Sequence, residues 1–350
     1  MKLLNYFILF ILFTNTTLAQ SVLTNIKNSR TFESQHESLI VRSLGFACLG
    51  LEDVSDGILC NPAMTPKAKK GNLKVEGLIS NGYGNLGKIK KFLSNSIDEN
   101  LVNELFDSQQ VLQTETSVDV MFTSPYLNAR FSPVSYKFFS VAKNVANPDI
   151  ELFAVEEKDL TFQSGFSLGE FDLGLEIQKR DWKFIRSRFK LYDLLSEAGK
   201  DAVKPKDQSG LFLNPALNYN LNNQFKTVFS IKLVNLGWVN KYYEEFQHPT
   251  ELQYGVSVTP NIYYGQLTFL LDYKSLSNSD SDFDKLHFGT HYKFGAMNLG
   301  FGIDNNGTSF GVFYGLEQIN ASILFSTTEL PWKSSEYLAQ TVYLQIGIKL

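Results

Sequence analysis

Cys48 and Cys60 are the only two cysteines in the chain. In an oxidising compartment an even number favours a disulfide, and closing the loop between them would contribute about 3 kcal/mol by chain entropy. The alternative is a pair of buried free thiols. Gly165-Phe166-Ser167-Leu168-Gly169 matches the pattern of a nucleophile elbow, but that elbow requires a strand before it and a helix after it. Here Phe171, Leu173, Leu175 and Ile177 alternate with polar or small residues, so a second strand follows. His287 and His291 would share one face of a strand, about 13 Å apart by strand rise, too far for one metal. Asp280, Asp282 and Asp284 alternate like a calcium loop but lack its glycine and closing glutamate, which leaves a solvated acidic loop. His36 and His248 have no evident partner. The expectation is no enzyme: no catalytic residue, no metal and no cofactor.

The elements that carry these residues are strands. From Leu338 to Leu350 every second residue (Leu338, Val342, Leu344, Ile346, Ile348, Leu350) is apolar with the exception of Gln340. A period of two describes a strand with one apolar and one polar face. Similar runs recur from Phe171 onward, each roughly eight to fourteen residues, the length of a tilted strand crossing a bilayer. The connections near Asn222, Pro260, Gly295 and Glu317 are tight, whereas 191–209, 239–250, 274–285 and 327–337 are long and polar. Counted back from the last strand, the long connections fall on one side. Only the Asp304–Gly307 hairpin is short there, and its Asp-Asn-Asn-Gly sequence suits positive φ. Short turns at one end and long loops at the other mark an outer-membrane barrel. A soluble sandwich has no reason for the asymmetry.

The N-terminus supports export. Met1 and Lys2 precede an apolar run from Leu3 to Phe13, and Thr17 and Ala19 fit a peptidase site with cleavage before Gln20. The run is too short to span a bilayer and no later one is long enough, so no transmembrane helix is expected in the mature chain. A net charge of −4 without a basic stripe argues against nucleic acid as a partner. The 29 phenylalanines and 16 tyrosines suit a wall facing lipid.

Upstream, candidate strands are Leu73–Asn81, Val118–Tyr126, Arg130–Val141, Asp149–Glu157 and Thr161–Leu168, which brings the number to fifteen. Bacterial single-chain barrels have even numbers, so about fourteen are expected, with Asp149–Glu157 and Leu73–Asn81 the doubtful runs. Leu86, Ile89, Leu93, Ile97, Leu101 and Leu105 recur at three and four, and Ser96 with Glu99 forms a capping box. This predicts a helical insertion at about 84–112.

Residues 39–70 do not alternate. Ser43–Gly50 is small and apolar, Asp53, Asp56 and Gly57 follow, and then comes Cys60-Asn61-Pro62-Ala63-Met64-Thr65-Pro66. Asn61 with Pro62 makes a good helix start, an asparagine cap before a proline that needs no amide donor. At this point the chain resembles the FadL-like superfamily of long-chain fatty acid transporters, and within it the TraF-type outer-membrane branch. Asn61, Pro62 and Ala63 match the family triplet, which usually continues into glycine where Met64 stands here. Leu350 stands where many such barrels end in an aromatic residue.

The resemblance implies an N-terminal hatch inside the barrel and hydrophobic ligands passing it sideways or downward. The expected organisation is a signal peptide (1–19), a hatch or plug (20–70) and an all-β, antiparallel transmembrane barrel (71–350). The expected location is the outer membrane of a Gram-negative bacterium, in contact with its lipid. The expected function is passive uptake of a hydrophobic small-molecule ligand. The alternative is a structural, assembly or secretion-associated barrel that anchors envelope proteins. Inward charges such as Asp172, Glu176, Asp272 and Lys349 would also allow a narrow polar pore. Pro133 and Pro215, each lacking a ladder donor, mark where the wall could be interrupted.

Overall fold

A computed structural model describes residues 38–52, 60–68, 71–94, 111–143, 149–190, 203–243, 246–275, 285–304, 307–329 and 338–350. The signal segment, His36, Asp53, Asp56, Gly57, Ser96, Glu99, Asp280, Asp282 and Asp284 lie outside the described residues. Among those described, one antiparallel sheet runs through β1 (Asn72–Ser80), β2 (Val111–Thr123), β3 (Leu127–Lys143), β4 (Asp149–Leu168) and β5 (Phe171–Lys190). It continues through β6 (Lys206–Leu221), β7 (Thr227–Val234), β8 (Leu236–Val239), β9 (Glu251–Val258) and β10 (Gln266–Ser275). It is completed by β11 (Leu286–Phe294), β12 (Met297–Asp304), β13 (Gly307–Gly315), β14 (Ile319–Glu329) and β15 (Leu338–Lys349).

The first strand pairs with the last, Lys74 opposite Lys349 and Ser80 opposite Tyr343, and β5 pairs with β6, so the sheet closes on itself. Closure removes the unpaired edges that a strand at either end of the chain would otherwise present. β7 and β8 are two halves of one wall strand, since both pair with β6 and Asn235 between them takes a φ of 60°. The wall is therefore a closed barrel of fourteen strands.

Parity explains the count. Asp149–Glu157 and Thr161–Leu168, two separate runs by sequence, are one strand, β4, paired without a break to β5. Leu73–Asn81, the other doubtful run, is β1. The predicted helical insertion is also shorter at its far end, because Val111 and Leu112 already belong to β2. Its described helix is Leu86–Leu93.

The two faces separate as the alternation requires. On β15, Leu344, Ile346 and Ile348 are exposed on the outer face while Tyr343 and Gln345 are buried on the lumen face. On β4 the outer face carries Leu160, Phe162, Phe166 and Leu168, and the lumen face carries Glu157, Asp159, Thr161 and Gln163. Outward charge at lipid depth is unfavourable; inside, polar groups can pair.

β4 and β5 have 20 residues each, against 8 in β7 and 9 in β11. Their far ends rise past the exposed apolar belt on the long-loop side, where both faces are covered. Outside, Ile89 and Leu93 of the Leu86–Leu93 helix close over Phe138, Ile150, Leu152, Ala154, Ile185 and Phe189. On the lumen side an aromatic cluster takes their place.

Candidate functional site

Three groups of contacts fill the lumen, and residues 38–52 and 60–68 make the first. Arg42, in the helix Leu39–Ser43, reaches Glu115 of β2 with two bonds of 2.8 and 2.5 Å, and its guanidinium lies 5.3 Å from the centre of the Tyr343 ring. Such a buried bidentate pair holds geometry as well as charge. The amides of Cys48 and Leu49 donate to Asp272 of β10 at 2.7 and 3.0 Å. Gly45 offers its carbonyl to His287 Nδ1 at 2.7 Å. Cys48 and Cys60 face each other with Cα atoms 6.2 Å apart and their sulfurs at bonding distance.

Asn61 does three jobs with one side chain. Its Oδ1 accepts from the Ala63 amide at 3.0 Å, capping the 3₁₀ turn Pro62–Lys67. Its Nδ2 donates to the Leu49 carbonyl at 2.7 Å and to Asn218 of β6 at 2.9 Å. Pro62 opens the turn where no amide donor is needed. Ala63 is fully buried, and a Cβ on Gly174 of β5 would collide with the Pro62–Ala63 peptide. Higher up, Gly289, Gly300 and Gly302 admit Ser43, Leu44 and Gly45 in the same way. Asn128 donates to Thr65, Lys67 pairs with Asp172 at 3.3 Å, and Lys232 donates to the Cys60 carbonyl at 2.8 Å. The wall glycines are the signal that sequence reading missed.

The second group is ionic. Asp159 accepts from Arg130 at 3.2 Å and from Gln178 and Thr161 at 2.7 Å. Glu176 accepts from Gln163 and Asn214, with the Lys232 ammonium 3.7 Å away. Each acid is buried, and each has the partners that burial demands.

The third group is aromatic and sits at the long-loop end. Phe139, Phe153, Val155, Trp182, Phe184 and Phe212 line the lumen side of β3–β6, and Phe246 closes over them. Phe246 and His248 come from the connection between β8 and β9. Phe246 stacks on Phe184 with centroids 4.3 Å apart, and His248 lies on Trp182 at 4.0 Å. His248 Nε2 is buried and has no hydrogen-bond partner among the described residues. Burial, and after it the charge of Arg180, hold the imidazole down at about 3.

Both prolines fall at interruptions of the wall. Pro133 lies in a register shift between Ser132 and Ser135. Pro215 keeps its pairing with Leu175, but on its other side the ladder with β7 stops at Ala216 and resumes with β8 at Leu213. The Asn235 amide turns instead to Asn214 at 2.7 Å. β8 pairs with β6 alone, since the ladder of β7 with β9 ends at Val234 and Glu251.

The residues with apparent chemistry are brought together otherwise than a reaction requires. Ser167 donates to Asp172 at 2.5 Å across a tight hairpin whose Gly169 has a φ of 63°, so the segment is a turn between strands. His287 and His291 are buried on the lumen face of β11, and among the described residues no group of three or more His, Cys, Asp or Glu could hold a metal ion.

No protein-family model and no curated protein sequence matches the chain. Solved structures do. The monoaromatic hydrocarbon channel CymD aligns over 89% of this chain and 96% of its own with a TM-score of 0.50 at 9% identity. The two chains share a fold. The Pseudomonas putida toluene transporter TodX gives 10% identity over 90% of this chain and 97% of its own, TM-score 0.49. The Ralstonia pickettii toluene transporter TbuX gives 10% identity over 89% and 97%, TM-score 0.48. By their descriptions these neighbours are channels or transporters.

Proposed function

We propose that this chain is a Gram-negative outer-membrane barrel through which hydrophobic small molecules pass passively. The observation that carries this reading is the aromatic layer: Trp182, Phe184 and Phe212 line the lumen at the long-loop end, under a connection that Tyr243, Phe246 and His248 hold against them. An apolar ligand entering there trades water for aromatic surface. The buried acids and cations beneath oppose a straight apolar path, and the broken ladder at Asn235 offers a way sideways. CymD, TodX and TbuX, by their own descriptions, carry monoaromatic hydrocarbons or toluene, and we extend to this chain only the class of hydrophobic small molecule.

The proposal includes export through a signal peptide cleaved near Ala19, a hatch from 20 to 70 and a Cys48–Cys60 bridge in an oxidising envelope. A TraF-type affiliation is proposed on Asn61, Pro62 and Ala63 alone. The second reading, a structural barrel with envelope protein partners, draws on the hatch's many buried ties to the wall, Arg42 to Glu115 among them. Extracting the folded barrel in mild detergent and identifying bound small molecules by mass spectrometry tests the choice. Hydrophobic molecules retained by the wild type and lost from Trp182→Ala support uptake. An empty barrel that carries other envelope proteins with it supports the second reading.

A further inference from the structure

The outer face of the barrel carries one feature that hydrophobic uptake does not use. Down β5, the outward residues run Phe189 and Ile185, buried under the Leu86–Leu93 helix, then Lys183, Asp181 and Lys179, then Ile177 and Leu175, exposed. On β4 the same order holds: Ile150, Leu152 and Ala154 are covered, Glu156 and Lys158 follow, and Leu160 and Phe162 are exposed. The charged step therefore lies at the upper edge of the lipid-facing belt. The covering helix adds Lys90 and Lys91, both exposed on the side away from buried Ile89 and Leu93.

Lys90, Lys91, Lys158 and Lys183 have no carboxylate in salt-bridge range among the described residues, in a chain whose net charge is −4. Lys179 is shared with Asp181 at 3.6 Å. Glu156 lies opposite Lys183 and Asp181 opposite Lys158 in the ladder without closing a salt bridge, and with Lys90, Lys91 and Lys179 the step keeps an excess of lysines facing outward near the level where apolar surface ends and a bilayer presents its phosphates. Each lysine near such a surface contributes about 1 kcal/mol.

We propose that this step, formed by Lys158, Lys183, Lys90 and Lys91, binds the phosphates of an anionic outer-leaflet lipid. The long strands β4 and β5 and the helix packed on them form a platform that holds the lipid headgroup against the wall beside the aromatic mouth. This rests on the outer-membrane placement proposed above and is independent of whether a ligand passes through the lumen.

The test uses the full folded barrel in zwitterionic detergent, titrated with bisphosphoryl lipid A and followed by native mass spectrometry. The combined variant Lys90→Gln, Lys91→Gln, Lys158→Gln, Lys183→Gln is compared with Lys226→Gln, Lys349→Gln at the tight-turn end. The wild type and the tight-turn variant are expected to bind alike, and the four-lysine variant about tenfold or more weakly. Fully dephosphorylated lipid A is expected to be held no better by the wild type than by the four-lysine variant. Should the four-lysine variant not fold, Lys90→Gln, Lys91→Gln decides alone, with a loss of about threefold or more expected. Equal binding by the lysine variant, equal binding of the dephosphorylated lipid, or displacement of the lipid by millimolar inorganic phosphate overturns the proposal. A barrel that holds the phosphorylated lipid yet moves no hydrocarbon contradicts uptake alone.

Discussion

The imidazole of His248 lies parallel to the indole of Trp182, 4.0 Å between ring centroids and 8° between planes. One ring comes from the connection between β8 and β9 and the other from the wall, so this stack and the Phe246–Phe184 stack hold the connection over the lumen.

The clamp is sensitive to pH. Docked His248 titrates at about 3, far below the ordinary 6.5, so the undocked ring binds a proton that the docked ring refuses. Docking is at full strength above pH 6.5 and weakens as pH falls through 6.5 toward 3, by at most about 1.4 kcal/mol per unit. Fluorescence of a chain keeping Trp182 as its sole tryptophan is expected to change between pH 7 and pH 5, and His248→Gln to abolish the change. A flat wild-type profile, or an equal change in His248→Gln, contradicts the clamp.

The aromatic layer is expected to dominate capture. Removing the indole in Trp182→Ala or the ring in Phe246→Ala takes away stacking and apolar area, so affinity for a small aromatic hydrocarbon should fall by about tenfold. Equilibrium binding to the detergent-solubilised barrel measures it. Unchanged affinity in both variants would put the site elsewhere.

Arg42 and Glu115 are expected to be coupled. Arg42→Ala removes the bidentate partner of buried Glu115, at a cost of about 3 to 5 kcal/mol, whereas Arg42→Ala with Glu115→Ala should recover most of it. Because the barrel wall is closed without them, the loss should appear as raised ion conductance in planar bilayers before the wall unfolds. Equal conductance in single and double variants would show that the pair does not seat the segment.

Gly174 is expected to tolerate no side chain. A Cβ there meets the Pro62–Ala63 peptide closer than real contacts allow, so Gly174→Ala should cost about 1 to 3 kcal/mol in seating the Asn61–Thr65 turn. Gly315, where an added Cβ meets little, serves as the control. Protease susceptibility of the N-terminal segment reports it, and identical cleavage of Gly174→Ala and Gly315→Ala would refute the fit.

The wall was legible because a sheet with lipid outside and polar groups inside writes its period of two into the sequence. Legibility failed where β4 leaves the lipid-facing belt. There Glu156 and Lys158 face out and Glu157 and Asp159 face in, so the alternation vanishes and one strand reads as two. The Asn61–Pro62 cap was legible because capping is local. Its ties to Leu49 and Asn218, and the fit of Ala63 against Gly174, join residues far apart in the chain and leave no periodic trace. The packing of Phe246, and the Trp182 partner that His248 lacks in the sequence, leave no trace for the same reason, although Tyr242, Tyr243 and Phe246 make that connection unusually aromatic for a polar loop.

Uptake itself is tested most directly in a Gram-negative host that lacks hydrocarbon channels, by the initial rate at which cells take up a labelled monoaromatic hydrocarbon. The wild-type barrel is expected to raise the rate above the empty vector, and Trp182→Ala with Phe246→Ala, folded and present at the same level, to return it to that of the vector. A wild-type barrel that is folded in the outer membrane and gives no increase over the vector would contradict the account.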